Sequence, residues 1–508
     1  VGRRIRYLGL VLVVCFALVI VQLINIQFRQ AGALSSSPNN PRIAAKKYDN
    51  DRGIVTASDG TVLAKSVKIN SSSSTYNYAR EYPGGSLYAG ITGYYSPYFG
   101  AAAGIEYQYN QYLQTHAQSP DNFSQLLFDK PPSEPDNVAL TVDPVLQAAA
   151  TRALEDNPNL NKDGAVVVLN PSTGAVLALA SNPTFDPNSL SNPDIPAEEA
   201  SAKAAAANDI EGFNGLTPIA TEESFFPGST FKVVTTAAVY NLKPSLVSYS
   251  FPPAVSISFP DSDKTLSNDG LVACGGTMAV MLPASCDPGY GELGIKLGEA
   301  DLTQEAKAFG FSVYQSGPQT VPGLDLPHVA VSTISNISPT AQADLAYSAI
   351  GQLDDQATPL QNALVASGIA DGGTVMTPHL MSQVTDAQGA VVKSYQPTTM
   401  STVTTPAEAA EITKLMQAVA ANGTAQAIFP ASWHIAVKTG TAQVQAPTGP
   451  EQTDDWMIGF LPGTTGPSPL AIAVVVPYQA FSYTGAAVAG PIVRQVVQAY
   501  LTETGAKS

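Results

Sequence analysis

Three short stretches of the chain carry residue types that together could transfer an acyl group. The first is Phe226-Pro227-Gly228-Ser229-Thr230-Phe231-Lys232, which runs straight into the apolar stretch Val233 to Leu242. Pro-Gly ahead of an apolar helical run puts Ser229 at or near a helix amino terminus, where free N–H groups and the helix dipole favour an attacking oxygen and a developing oxyanion. Lys232, three residues on, shares the helical face of Ser229. Desolvation would lower its proton affinity and let the neutral amine take the serine proton. A Ser-x-x-Lys pair is a weak signal alone, because a capping serine beside an exposed lysine has the same spacing.

Support comes from Val437-Lys438-Thr439-Gly440-Thr441-Ala442, a Lys-Thr-Gly inside a β-like apolar run. On an edge strand it would offer an ammonium and hydroxyls to a carboxylate, and its backbone would hold a peptide as an added strand. Gly440 omits a side chain where another chain must approach closely. Read alone, the segment could equally be an exposed turn. A serine with an amide-bearing partner two residues later would complete the set. Ser285-Cys286-Asp287 and Ser267-Asn268-Asp269 compete; the first is preferred because the helix-like Glu292 to Gly298 follows it, whereas the second lies in a polar loop.

These residues need elements to hold them. Val138 to Val142 reads as a strand, and Asp143-Pro144 starts a helix running to Leu154, with Pro at its first position. Ala165 to Leu169 and Ala175 to Ala180 flank Asn170-Pro171-Ser172-Thr173-Gly174, a hairpin by its turn chemistry. Residues 188–224 read as a mobile, Ala-rich, acidic excursion. Trp433 to Gln443 and Leu470 to Val476 read as strands, and Ala486 to Leu501 as a closing helix. Strands at both ends with helices between them predict an α+β domain whose sheet joins distant segments. Before it, Tyr48 to about Asn137 is Tyr-, Gly- and Ser-rich and reads as a small, mostly β module set off by Pro131, Pro132 and Pro135.

At 508 residues, two globular units plus appendages are expected. The net charge of −16, with no basic run beyond the first residues, argues against nucleic acid as a partner. Arg3, Arg4 and Arg6 precede an apolar stretch from Tyr7 to about Ile26, long enough to span a bilayer. It lacks the short core and small-residue exit of a cleaved signal, so an uncleaved anchor is expected, with the amino terminus in the cytoplasm and everything after Arg29 outside. Outside the cytoplasm a disulfide between Cys274 and Cys286 is permitted, two free thiols being the alternative. The four histidines show no metal-binding spacing, and no cofactor is implied.

In this order, Ser229-Thr230-Phe231-Lys232, Ser285-Cys286-Asp287 and Lys438-Thr439-Gly440 resemble the active-site triplet of the penicillin-recognising serine enzymes. The chain is most similar to class B penicillin-binding proteins of the actinobacterial cell-division type. Asp51-Arg52-Gly53-Ile54, Asp59 to Ala64 and Gly104-Ile105-Glu106 with Tyr109-Asn110 look like pedestal signatures, and Gly351-Gln352, Thr358 to Gln361 and Asp455 to Phe460 like recurrent segments of the second module.

The resemblance implies a cytoplasmic tail (1–6), a transmembrane anchor (7–27), a linker and pedestal (28–137) and a β-lactamase-like transpeptidase domain (138–508) with an antiparallel central sheet flanked by helices. It further implies a D,D-transpeptidase cross-linking peptidoglycan stem peptides and acylated by β-lactams. Ser229 would attack, Lys232 accept the proton, Ser285 relay it, and Lys438 steady the relay and attract the substrate carboxylate. Thr439 and Thr441 would bind that carboxylate, Gly440 would leave room for the peptide, and the Ser229 and Thr441 N–H groups would form the oxyanion hole. A SEDS-type glycosyltransferase and other division proteins are the implied partners. The family usually has Asn where Asp287 stands, so Asp287 is either protonated, in contact with another group, or misassigned. A D,D-carboxypeptidase or endopeptidase, and a non-catalytic β-lactam-binding scaffold of the division complex, are the alternative readings.

Overall fold

The computed structural model describes residues 50–505 except 70–75, 97–98, 116–133, 158–162, 193, 208–211, 261, 317–318, 320–322, 446–450 and 464–465, together with scattered positions between 7 and 22. The anchor expected over 7–27 and the prolines at 131 and 132 thus fall largely outside the described residues. Among those described, no helix is long and apolar enough to cross a membrane.

The site rests on a five-stranded antiparallel sheet made of β1 (Gly164–Leu169), β2 (Val176–Asn182), β3 (Ala436–Gln445), β4 (Glu451–Leu461) and β5 (Leu470–Ala480), in the order β3-β4-β5-β1-β2. Segments more than three hundred residues apart in sequence become neighbours through the β5–β1 ladder, in which Val474 pairs with Val166. Every residue of β1 is buried, as a strand covered on both faces must be. The Lys-Thr-Gly segment lies on β3, an outer strand, leaving one backbone edge for a peptide. β4 was recognised in the sequence only as a family segment; its side chains are buried almost end to end, which hides the two-residue alternation that marks a half-exposed strand.

The helices that matter are α1 (Pro144–Glu155), α2 (Lys232–Leu242), α3 (Asp287–Leu297), α4 (Glu299–Phe309), α5 (Pro359–Ala370), α6 (Pro406–Asn422) and α7 (Gly485–Thr504). α1 begins where Asp143 accepts hydrogen bonds from the N–H groups of Val145 and Leu146, with Pro144 at the first position. Together α1 and α7 pack against the sheet, while α5, capped by Thr358 and buried on nearly every side, packs against β5, β4 and β1. α6 starts with a reciprocal capping box between Thr405 and Glu408. α2 is enclosed by α3, α4 and α6. The excursion over 188–224 is largely helical, with Ile195–Ala205 as its longest piece.

A second sheet crosses the boundary between the modules. Its six strands run in the order Val391–Ser394, Met381–Thr385, Asn137–Leu140, Val55–Thr56, Val62–Lys68 and Tyr78–Glu81, so that strands near the start of the chain and strands near residue 385 share one ladder. The amino-terminal module mixes these strands with short helices around a buried ionic network. The Glu106 carboxylate accepts from the Arg52 and Arg80 guanidiniums, both at 2.6 Å, and from the Tyr82 hydroxyl at 3.2 Å. Arg52 also donates to Asn110 Oδ1 and the Glu106 carbonyl, and its guanidinium stacks 4.1 Å from the Tyr95 ring centroid. Burial alone would push the Glu106 carboxyl up, but the two guanidiniums hold it below its ordinary range.

Removing one side of such a network strands the other in a desolvated place. Glu106→Ala is expected to cost about 3–5 kcal/mol, because two guanidiniums stay buried without their anion. Urea unfolding followed by pedestal tyrosine fluorescence reads this directly, and a loss under about 1 kcal/mol would show that the network is stabilised from elsewhere.

Candidate active site

The turn Gly228–Phe231 lifts Ser229 to the mouth of α2. Gly440 allows it: a Cβ there would lie 2.9 Å from Thr230 Cγ2 and 3.0 Å from the Pro227 carbonyl. The close approach foreseen at Gly440 therefore comes from the chain's own nucleophile turn packing across β3. Gly351, at φ +76°, closes the other side, where a Cβ would be 2.3 Å from the Gly228 carbonyl oxygen and where its own carbonyl accepts from the Gly228 N–H at 2.9 Å. The Trp456 indole N–H, from the buried core of β4, donates to the Phe226 carbonyl and pins the approach to the turn.

Two lysines converge behind this turn, each wholly buried. Lys232 Nζ uses all three of its N–H donors, on the Ser285 carbonyl at 2.8 Å, the Ser285 hydroxyl at 3.2 Å and Asp287 Oδ1 at 2.5 Å. Lys438 Nζ donates to the same Ser285 hydroxyl at 2.9 Å and to the Thr439 carbonyl at 2.8 Å. Ser285 Oγ therefore sits between two amines. Burial first, and then the like charge of Lys232, push the Lys438 amine well below its ordinary value, while Asp287 and Asp269 pull the other way. The Ser229 hydroxyl itself makes no hydrogen bond to a described residue and faces the open groove.

Ser285 is held in a left-handed conformation at φ +55°, which costs a residue with a side chain on the order of 1–3 kcal/mol. Its neighbours supply the restraint. Cys286 is bonded to Cys274 across a Cα separation of 5.7 Å, its N–H donates to the Met281 carbonyl, and α3 starts at the next residue. Asn268, from the serine motif not preferred in the sequence, also reaches the site, its side-chain oxygen accepting from the Asp287 N–H at 3.1 Å. Asp287 contacts Lys232, so of the three explanations for its identity the structure matches contact with another group.

The groove is lined by Ser229, Thr265, Asp269, Asp287, Tyr347, Gln352, Thr441 and Gln443, with Gly228, Leu266, Ser267 and Ile350. Thr441 accepts from the Gly485 N–H at the start of α7. Thr439, on the same side of β3 as Thr441 by strand alternation, is buried, and its hydroxyl pairs at 2.7 Å with that of Thr424 in the turn after α6. Sequence reasoning missed Thr265 and Tyr347, which come from segments of ordinary surface composition, and it named Asp269 only within the competing serine motif, Gln352 only within a family segment and Gln443 only as a strand end. Glu222 and Glu223, just before the nucleophile turn, are half-buried, and burial raises Glu222 to about 7.

Gln352 and Gly351 ride on a loop anchored by Asp355. The fully buried carboxylate of Asp355 accepts from the Ser335 N–H and hydroxyl at 2.7 and 2.6 Å and from the Ser348 hydroxyl at 3.0 Å, and burial raises its carboxyl to about 7. Among the described residues no group of three or more His, Cys, Asp or Glu is arranged to hold a metal ion.

The chain is similar to known proteins over most of its length. The penicillin-binding protein transpeptidase domain matches residues 164–498, and the penicillin-binding protein A dimerisation domain matches residues 52–133. The chain is 34% identical to the peptidoglycan D,D-transpeptidase PbpA of Mycolicibacterium smegmatis, covering 99% of each, and 33% identical to PbpA of Mycobacterium tuberculosis, covering 96% of this chain and 97% of the relative. The structure of penicillin-binding protein A from M. tuberculosis as a ceftriaxone acyl-enzyme complex superposes with a TM-score of 0.78 at 31% identity, over 90% of this chain and 100% of that one.

The buried Asp355 carboxyl gives a prediction for pH. Its folded value of about 7 exceeds the ordinary 3.8, so the native protein holds a proton that the unfolded chain releases, and stability falls as pH rises from about 4 to about 7. Asp355→Asn removes this titration while keeping an acceptor for Ser335. The variant should lose less unfolding free energy than the parent between about pH 5 and about pH 8, a difference on the order of a few kcal/mol that urea unfolding at each pH reads. Identical pH dependence in the two proteins would mean that Asp355 is ionised throughout.

Proposed function

The chain belongs to the family of penicillin-binding protein transpeptidases, and on that premise we propose that Ser229, Lys232, Ser285 and Lys438 carry out peptidoglycan D,D-transpeptidation. The observation that supports this most is the Ser285 hydroxyl held at 3.2 and 2.9 Å from two buried lysine nitrogens, beside the groove onto which Ser229 opens.

Ser229 Oγ attacks the carbonyl carbon of the penultimate D-Ala of a donor stem peptide. As Lys232 leaves its resting contact it gives one proton to Asp287, and the neutral amine then takes the proton of Ser229. The oxyanion is received by the Ser229 and Thr441 N–H groups, after which the peptide C–N bond breaks. Ser285, between the lysines, hands a proton to the departing D-Ala amine, and an ester to Ser229 remains. The amine of a second stem peptide then attacks that ester, the Ser229 C–O bond breaks, and the serine recovers its proton. Lys438 and the Thr441 hydroxyl draw the donor's terminal carboxylate, and the free edge of β3, with Gly440 at its centre, lies along the peptide. In a β-lactam the broken amide stays tethered to the acyl group, so the leaving nitrogen blocks the route of the acceptor.

The sequence over 7–27 supports anchoring of the chain in the cytoplasmic membrane with its catalytic domain outside, the pedestal (28–137) and catalytic region (138–508) following in that order. The resemblance of its motifs to class B penicillin-binding proteins of the division type implies a role in cell division alongside a SEDS-type glycosyltransferase.

Intact-mass spectrometry of the purified protein after incubation with benzylpenicillin tests the assignment. The parent should gain one drug mass and Ser229→Ala none, with acylation slowed by about 10³-fold or more in Lys232→Ala. An adduct that persists in Ser229→Ala would move the nucleophile elsewhere.

A further inference from the structure

A buried acid that the mechanism above does not use lies directly behind the carboxylate subsite. Asp455, on β4, pairs across the sheet with Thr441, and side chains of directly opposed residues leave the same face of a sheet. Asp455 is completely buried, and neither carboxyl oxygen has a hydrogen-bond partner among the described residues. The Thr453 hydroxyl, two residues earlier on the same face, is equally buried and likewise makes no well-directed hydrogen bond, although it and the Thr441 hydroxyl lie close enough to act on the carboxyl. A register shift in the β4–β5 ladder falls between Thr453 and Asp455, the kind of irregularity that re-aims side chains beside functional sites.

Thr441 is the hydroxyl that these groups face. It already accepts from the Gly485 N–H at 3.1 Å, so its single proton remains to be donated. Two acceptors compete for that proton: the carboxylate of an incoming donor and the carboxyl of Asp455. An ionised Asp455 would capture the proton in a charge-assisted bond and set a negative charge beside the anion to be bound. A neutral Asp455 would donate its own proton to a threonine oxygen and leave the Thr441 O–H pointing into the groove.

We propose that Asp455 is a positioning residue that sets the direction of the Thr441 hydroxyl and so controls the affinity of this subsite for the carboxylate of a stem peptide or a β-lactam. The inference rests on the transpeptidase reading above and deepens it. The surroundings favour the neutral form. Burial, then the neighbouring Asp454 carboxyl, raise Asp455 to about 8, against smaller lowering contributions from the Thr441 and Thr453 hydroxyls. Asp454 is itself raised to about 7 by burial, its carboxylate accepting from the Tyr478 N–H of β5. Across β5, Asp455 meets the apolar Val476, α7 contributes its N-terminal N–H groups, and among the described residues no cation acts on it.

The consequence is a loss of carboxylate recognition as pH rises through the ionisation of Asp455, separable from the titration of the lysines. The test compares benzylpenicillin with its methyl ester on the full chain in detergent, because the ester meets the same lysines and the same Ser229 but brings no carboxylate. In the parent, the ratio of the two second-order acylation constants should fall at least about fivefold between about pH 7 and about pH 9.5, the change residing in the affinity for the acid. In Asp455→Asn, a neutral side chain of the same shape, the fall should shrink to whatever Lys438, which also draws the carboxylate, contributes. Asp455→Ser serves as a second neutral variant should the amide disturb the sheet. Equal pH dependence of the ratio in parent and variants overturns the role of Asp455 while leaving the transpeptidase assignment intact. Failure of both compounds to acylate the parent at any pH overturns that assignment itself.

Discussion

Everything in this fold answers one electrostatic demand: two lysine side chains must share a single serine hydroxyl away from water. At the roughly 3 Å contacts seen around Ser285 Oγ, two ammonium groups would repel each other strongly in a medium drier than water. The site resolves this by giving the two lysines unequal company. Lys232 has a carboxylate and a carbonyl, whereas Lys438 has only the serine hydroxyl and the carbonyl of its own neighbour Thr439. Burial and the charge of Lys232 then fall on Lys438, whose proton is the loosely held one. A readily released proton thus sits beside a serine hydroxyl at rest, before any substrate enters.

Such an arrangement survives only if three separate pieces of chain are kept from relaxing apart. β3 delivers Lys438 from a long ladder with β4, α2 delivers Lys232 from within a cage of helices, and Ser285 arrives on a left-handed turn clamped by the Cys274–Cys286 bond. The strain at Ser285 is thereby offset by contacts outside the active site, so a loosened clamp would move the relay first and the fold hardly at all. The glycines at 351 and 440 serve the same end by removing side-chain bulk where the nucleophile turn must be gripped from both sides.

What the sequence reveals of this follows from how local each feature is. Ser229 with Lys232 is a one-turn motif, Lys438 to Thr441 a four-residue strand segment, and the hairpin of β1 and β2 has its turn chemistry in plain view, so all could be read directly. Ser285 was separable from Ser267 only by the helix that follows it, and the structure brings both segments to one place, a convergence that no local pattern encodes. The hydroxyl pair of Thr439 and Thr424 is a second such convergence, since Thr424 comes from the turn after α6 and nothing in the Lys-Thr-Gly segment itself announces it. Asp355 and Asp455 were invisible as functional groups because an acid in a sequence has no burial; only the sheet and the loop around them take away the water.

The distribution of acids explains why Asp can stand at position 287. An Asn there would donate or accept without charge, leaving Lys232 to be balanced by dipoles alone. The carboxylate instead makes Lys232 and Asp287 a neutral pair at rest, with every Lys232 donor occupied, so that the buried centre carries little net charge. A second carboxyl, Asp269, lies at the lip of the same groove and is raised by burial and by Asp287, in the direction expected when two acids share a small space. Negative charge in this site is therefore rationed: one carboxylate is tied to Lys232, another is held back at the rim, and a third is kept neutral beneath Thr441. The anion best accommodated in the remaining field is the one that arrives with the substrate, and the cation that meets it is the amine the resting structure leaves least encumbered, Lys438.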